Sequence, residues 1–386
     1  MLRSPYNVLL LAISLACFLS TNSVTACPLC PVASKTLGEE METMDVVVIA
    51  RLAKPKTPEG SGSEVISAKF EVEQIIKGKK AIDSTKLIEA LDFGDSKKGD
   101  SYLIMGVGAP DIQWSTPLLL SARAKQYVTM LPGLPAKGAE RLLFFQDYLE
   151  HDDAILAHDA YDEFARAPYA DVQALKGHMH YNAIVERIKS EDVPANRRRL
   201  YLMMLSVCGS KKDLPMLESM MRSKERQKKA GLDAMIACYL TLKGPTGMPL
   251  VEDLFLKGKK AEYADTYAAI MALRFQVTDG KIVPKQRVLE GLRYMLDRPD
   301  LADLVIPDLA RWEDWSVVDR LVTLFKEADE KSLWVRIPVI NYLRKCPLDE
   351  AKGLIEELRV IDPESVRKAF EFFPETSTQD SVEFAD

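Results

Sequence analysis

The sequence predicts a mixed multidomain protein in which a small all-β barrel precedes an all-α solenoid. An apolar N-terminal segment, a series of short β-type segments and a helical pattern that repeats every 33 to 36 residues together support this prediction. The predicted parts are a signal peptide (1–26), a β-domain (27–120), a connection (121–139), a helical repeat domain (140–373) and a polar acidic tail (374–386).

The first segment has the features of an export signal. Arg3 precedes a mainly apolar run at 8–19, which is too short for a transmembrane helix and typical of a signal peptide. Val24 and Ala26 predict cleavage before Cys27, and therefore an exported protein of the periplasm, cell envelope or extracellular space. The same residues resemble a lipobox, so acylation of Cys27, with membrane attachment through the lipid, is one alternative. An uncleaved membrane anchor is the other.

Charge argues against a nucleic-acid partner. The formal net charge is −6, and removal of the signal, which contains Arg3 and no acid, makes it −7. Binding to phosphate backbones or anionic membranes requires clustered Lys and Arg. The basic stretches Arg197–Arg199 and Lys224–Lys229 are interpreted as solvated helix ends.

Cys27 and Cys30 are the candidate functional residues of the mature N-terminus. Five cysteines remain after cleavage, and in an oxidising compartment these two are the obvious disulfide pair, which leaves at least one thiol free. Their spacing is also that of thioredoxin-like redox motifs. Redox chemistry requires the pair at a helix N-terminus after a strand, and only the signal precedes it here, so a structural disulfide or tether is favoured.

The β-domain is predicted from four short segments. Residues 46–52 are rich in β-branched side chains, and 68–75 alternate apolar and charged residues as a half-exposed strand does. Strands are also predicted at 85–91 and 102–106. Because turns and no helices separate these segments, they predict a small barrel or sandwich.

Three motifs in this region resemble those of netrin-like domains, which include the tissue inhibitors of metalloproteinases. They are Asp45-Val46-Val47-Val48 at the start of a strand, the pattern F-x-V-x-x-x-x-K-G at 70–78, and G-x-x-Y-L at 99–103, all preceded by the Cys-x-x-Cys pair. The resemblance covers about residues 27–110 and implies an OB-like five-stranded barrel.

The same resemblance implies an alternative function. In those inhibitors, the amine and carbonyl of the first cysteine chelate the zinc ion of the protease, a role that would fall to Cys27 if cleavage follows Ala26. The sequence departs from the family because no cysteine lies between Cys30 and Cys208, where the inhibitors have several.

The helical region contains two series in phase. One is a set of leucines near helix ends, at Leu205, Leu240, Leu273, Leu309 and Leu343; the other marks helix starts, at Pro215, Pro249, Pro284, Val317 and Ala351. Proline suits the first turn of a helix, where its missing N–H has no partner to lose. Each helix pair buries its apolar face only against its neighbours, so the repeats are expected to stack into a solenoid.

The repeats resemble HEAT repeats, an interpretation that residues 334–338 (WVRIP) support. Tetratricopeptide repeats share the period but require Trp-Leu-Gly-Tyr positions that are missing, and an irregular helical bundle is the remaining alternative. In a stack, Cys208, Cys238 and Cys346 lie too far apart or out of register to pair, so free thiols are expected.

The sequence offers little for catalysis. His151, His158, His178 and His180 lie in one window, but without a recognised ligand spacing, and no phosphate-binding, hydrolase or kinase motif is present. No cofactor or metal is predicted. The predicted function is binding or scaffolding of a protein partner of unknown identity; an enzyme with a site at 140–180 is a further alternative.

Overall fold

The computed structural model describes residues 29, 34–54, 66–82, 85–92, 97–258 and 261–372. Contacts divide the chain into two compact units. The first, here called the sheet unit, contains 33–138 and 151–171; the second, the helical unit, contains 28–32, 139–150 and 172–386. The predicted order of an antiparallel barrel-like sheet followed by helices is confirmed.

The sheet unit contains six antiparallel strands in its described residues. They are β1 (Val46–Lys54), β2 (Ile66–Lys77), β3 (Leu87–Asp92), β4 (Ser101–Val107), β5 (Gln113–Trp114) and β6 (Leu118–Leu120). Their order is β3-β2-β1-β4-β5, with β6 paired to β4. Because β3 and β5 are also in contact, the sheet is a nearly closed barrel. The four predicted strands are confirmed.

The barrel core is built from alternate residues of β1 together with side chains of β2 and β4. Val46 and Val48 are fully buried in it, and the rings of Phe70 and Tyr102 meet edge to face with their centroids 5.6 Å apart. Val47, on the opposite face of β1, is fully buried as well. A strand buried on both faces explains the continuous apolar run in the sequence.

Gly78 ends β2 with φ at +80°, and a Cβ there would overlap the carbonyl oxygen of Asp45. Gly99 also has a positive φ, +96°, but among the described residues no atom lies within 4 Å of a Cβ placed there. Both alanine substitutions incur left-handed strain of about 1–2 kcal/mol. We expect Gly78→Ala to lower the free energy of unfolding, measured by urea denaturation, by at least about 1 kcal/mol more than Gly99→Ala. Equal losses would contradict the close approach.

Helices complete the sheet unit. They are α1 (Leu37–Thr43), α2 (Lys79–Ile82), α3 (Ala122–Met130) and α5 (Ala154–Arg166). A capping box between Thr36 and Glu39 begins α1, and Glu39 also pairs with Arg166 of α5 at 2.9 Å. By its contacts, α5 therefore belongs with the sheet, although it follows residue 140 in the chain.

The helical unit contains pairs of helices. They are α4 (Ala139–Gln146), α7 (Tyr181–Lys189), α8 (Ala195–Cys208), α9 (Leu214–Met221), α10 (Leu232–Lys243), α11 (Met248–Val251), α12 (Tyr263–Phe275), α13 (Lys285–Leu292), α14 (Ile306–Arg311), α15 (Val318–Glu327), α16 (Arg336–Lys345), α17 (Glu350–Ile361) and α18 (Pro363–Phe372), while α6 (Tyr169–Ala174) spans the division between the units. The marker leucines are buried in alternate helices, and the predicted starts coincide with α9, α11, α13, α15 and α17.

Alternate helices of this unit pack side by side. α8 contacts α10, α10 contacts α12, and the same relation joins α14, α16 and α18. Ion pairs cross between successive repeats at the sequence period: Arg199 with Asp233 and Arg274 with Asp308 are each 34 residues apart. No helix in the described part of the chain has the length and apolar character needed to cross a membrane.

Candidate binding pocket

The predicted N-terminal candidates, Cys27 and Cys30, lie outside the described residues. The inhibitor role of Cys27 therefore stays a prediction. Cys208, Cys238 and Cys346 are free, as expected, with Cys208 half-buried and the other two buried. Burial raises the pKa of the thiols of Cys208 and Cys238, so neither is an activated nucleophile.

The histidines do not converge with carboxylates into a metal site. His151 accepts a hydrogen bond from the Asp153 amide at Nδ1 (2.9 Å), and His158 Nε2 lies 3.4 Å from the Asp162 carboxylate. Among the described residues, no group of three or more His, Cys, Asp or Glu side chains is arranged to hold a metal ion.

A serine, a lysine and a glutamate meet on the sheet unit. Lys125 Nζ donates to Glu73 Oε2 (2.8 Å) and to Ser101 Oγ (3.1 Å), and Ser101 Oγ donates to Glu73 Oε2 (2.9 Å). Desolvation raises the pKa of Glu73, but the hydrogen bonds from Lys125 and Ser101 outweigh it and the net shift is downward. A carboxylate whose pKa is lowered in this way is a weak base, so Glu73 is poorly suited to activate a nucleophilic serine. The arrangement fastens α3 to β2 and β4.

α5 carries a buried carboxylate. Asp159 accepts hydrogen bonds from the Tyr127 hydroxyl (2.5 Å) and the Leu37 amide (2.6 Å), so it joins three helices of the sheet unit. Burial raises the pKa of Asp159 to about 6, an effect that these two hydrogen bonds oppose. Asp159 therefore links α1, α3 and α5, and its pKa of about 6 is close to neutral pH.

The helical unit has a pocket of about 500 Å³, within the range typical of small-ligand sites. It lies between the end of α7, the start of α8 and the end of α9. Four of its side chains are cationic, only Glu191 is acidic, and two methionines and two serines complete the wall: Lys189, Arg198, Arg222, Lys228, Met216, Met220, Ser219 and Ser223. These side chains give the pocket a local excess of positive charge, although the net charge of the chain is −6. Such a surface attracts anions.

Arg198 is the buried member of this wall, with 1% of its surface exposed. Its Nη1 donates to the Gln227 carbonyl and its Nη2 to the Ser190 carbonyl, both at 2.5 Å. The side chain therefore connects the α7–α8 loop to the segment after α9. Its Nε–H is buried and has no hydrogen-bond partner among the residues that the structure describes. Desolvation lowers the pKa of Arg198, and the nearby Glu191 carboxylate opposes this shift.

The interpretation of Arg197–Arg199 as a solvated helix end is wrong. Besides the buried Arg198, Arg197 donates to the Leu149 carbonyl, and Arg199 forms a two-bond pair with Asp233. The other basic stretch, 224–229, contributes Lys228 to the pocket and ion pairs from Arg226 and Lys229. A signal in the sequence was missed. Three arginines lie near the start of α8 with no acid in its first turn, and positive charges at a helix start are disfavoured by the helix dipole.

Comparisons with known proteins identify no relative. No family model matches the chain, and no curated protein or solved structure matches it either.

Proposed function

We propose that this protein is an exported scaffold that binds a protein partner through its helical unit. The fold assignments behind the proposal are an OB-like, netrin-like barrel and HEAT-like repeats. The barrel-like strand order and the inter-repeat ion pairs 34 and 36 residues apart support them. Stacked repeats present long surfaces for protein binding, which makes this class of function the best fit.

One observation carries the proposal. On α12, Tyr263 and Tyr267 lie one turn apart with their rings stacked, centroids 6.1 Å apart and planes at 9°. They are 57% and 40% exposed. Two large aromatic rings held together on a solvent-facing turn lose little entropy when a partner covers them, and tyrosine is enriched among the residues that dominate binding energies.

The surroundings of the pair fix it in place. Asp265, between the two tyrosines, pairs with Lys229 of the preceding repeat, and Glu262, just before them, pairs with Arg226. These contacts hold the start of α12 against its neighbour without covering the rings. The tyrosine pair is thus a pre-organised apolar patch with a polar rim, as protein interfaces require.

Capture experiments test the proposal. The tagged protein, crosslinked in native envelopes, is expected to retain a specific envelope protein. Tyr263→Ser/Tyr267→Ser is expected to reduce the recovery of that protein at least about tenfold, because each lost aromatic anchor costs about 2 kcal/mol of binding free energy. Val360→Ser/Ile361→Ser, which removes exposed apolar area at the C-terminal end of α17, is the matched control with unchanged recovery. Equal recovery with the tyrosine variant, or no specific capture by the wild type, would refute the proposal.

A further inference from the structure

We propose that the pocket around Arg198 is a binding site for a phosphate group, either free phosphate or the phosphate of a small ester. This inference is independent of the proposed protein binding, since it concerns other residues of the helical unit.

The first step is the cost of burying Arg198. A guanidinium removed from water is expensive unless a counter-charge compensates it. Arg198 has no carboxylate within ion-pair distance in the described residues, and its two backbone carbonyl partners are neutral. Glu191 acts only at longer range. An anion bound in the pocket would supply the missing counter-charge.

The second step is the position of Arg198 in its helix. Arg198 is the fourth residue of α8, which begins at Ala195 and has Pro194 as an N-cap without a side-chain hydrogen bond among the described residues. The helix contains three arginines and no acid. Cations at a helix start are opposed by the dipole, whereas anions there are stabilised. Lys189 and Arg222 differ, because they end α7 and α9, where the dipole favours cations. Among the cations that line the pocket, Arg198 is the one at a helix start, where the dipole opposes a positive charge.

The third step is the charge of the ligand. Lys189 and Arg222 line the same pocket and form no ion pair in the described residues, while Lys228 pairs with Glu225. Three cations without an ion-pair partner among the described residues, Arg198 included, exceed the single Glu191 carboxylate, so the pocket suits a dianion. Arginine and serine side chains donate the hydrogen bonds that phosphate oxygens accept, and Ser219 lies in the wall.

The volume indicates what is attached to the phosphate. About 500 Å³ exceeds the space that a lone phosphate fills, and Met216 and Met220 add apolar wall beside the charges. Methionine side chains adapt to ligands of varied shape. A phosphate ester with a small organic group therefore fits better than the bare ion.

Isothermal titration of the full-length protein with inorganic phosphate and with glycerol 3-phosphate, at low ionic strength, tests the site. We expect saturable binding of one ligand per chain, tighter for the ester. Arg198→Met should weaken it at least about tenfold, because the substitution removes the buried positive charge that the ligand would compensate. Tighter binding of the bare ion would identify free phosphate as the ligand.

Two further variants keep the test decisive if Arg198→Met does not fold. Arg222→Met removes a pocket cation at a helix end and is expected to weaken binding several-fold, whereas Arg226→Met, which breaks an exposed pair outside the pocket, is expected to leave it unchanged. No saturable heat from either ligand up to about 10 mM, or equal affinities for the wild type and Arg222→Met, would overturn the inference.

Discussion

Arg274→Met is expected to lower the free energy of unfolding of the helical unit by about 3 kcal/mol. Arg274 Nε donates to Asp308 Oδ2 of the next repeat at 2.8 Å, and its Nη2 donates to the Leu304 carbonyl at 2.9 Å. Asp308 is 1% exposed. Burial raises the pKa of Asp308, and Arg274 is the main group that opposes this rise. Without Arg274, a buried carboxylate loses its nearest counter-charge.

A second substitution separates this electrostatic cause from lost packing. In Arg274→Met, Asp308 keeps the largely exposed Arg311 as a counter-charge at 3.3 Å. In Arg274→Met/Asp308→Asn the buried charge is gone, so we expect the double variant to recover more than half of the loss. Arg320→Met is the control, since the pair of Arg320 with Asp297 is solvent-exposed and contributes less than about 1 kcal/mol. Hydrogen exchange of the helical unit measures all three losses. If the double variant is as unstable as Arg274→Met, the loss comes from the contacts and packing of the Arg274 side chain and not from the charge left on Asp308.

The sequence predicts this fold well wherever a regular pattern of apolar side chains continues along the chain. In β1, consecutive β-branched residues indicate a strand buried on both faces, and the leucine and proline series locate helices throughout the helical unit. β5 and β6 are not predicted because segments of two and three residues are too short to show a period. The assignment of α5 to the sheet unit depends in part on the contacts of Asp159 with Leu37 and of Arg166 with Glu39, which are 122 and 127 residues apart in the chain.

The pocket is much harder to predict than the fold. Its walls come from three segments between Lys189 and Lys228, and side-chain periodicity carries no information on which loops meet. Arg198 also belongs to a residue type that is seldom buried, so its exposure was the reasonable expectation. Its burial depends on two backbone carbonyls, of Ser190 and Gln227, which no residue identity encodes. From the sequence alone, only the unfavourable position of three arginines near the start of α8 could have been noticed.

Asp159→Asn is expected to remove a pH dependence of stability from the sheet unit. The folded pKa of about 6 lies above the ordinary value near 3.8, so the folded state binds more protons than the unfolded state between these limits. Stability from this group is therefore fully present below about pH 4, falls as the pH rises through the folded pKa, and is constant above about pH 7. The total loss corresponds to about 3 kcal/mol at most.

Urea denaturation of the two proteins from pH 4 to pH 7 measures this effect. The other carboxylates are present in both proteins, so the difference in unfolding free energy between Asp159→Asn and the wild type reports on Asp159 together with its electrostatic coupling to Glu163 and Asp162. We expect this difference to grow by up to about 3 kcal/mol in favour of the variant across the range. Asparagine still accepts from the Leu37 amide, and any change in the Tyr127 contact shifts the difference equally at every pH.

Asp152→Asn removes the same charge at an exposed position on the loop before α5 and is the matched control for the loss of one carboxylate. A pH-independent difference for Asp159→Asn would mean that its carboxylate is as well solvated in the folded state as in the unfolded chain. The hydrogen bonds from Tyr127 and Leu37 would then fully offset burial. A growing difference would instead establish that the junction of α1, α3 and α5 is tightest when Asp159 is protonated.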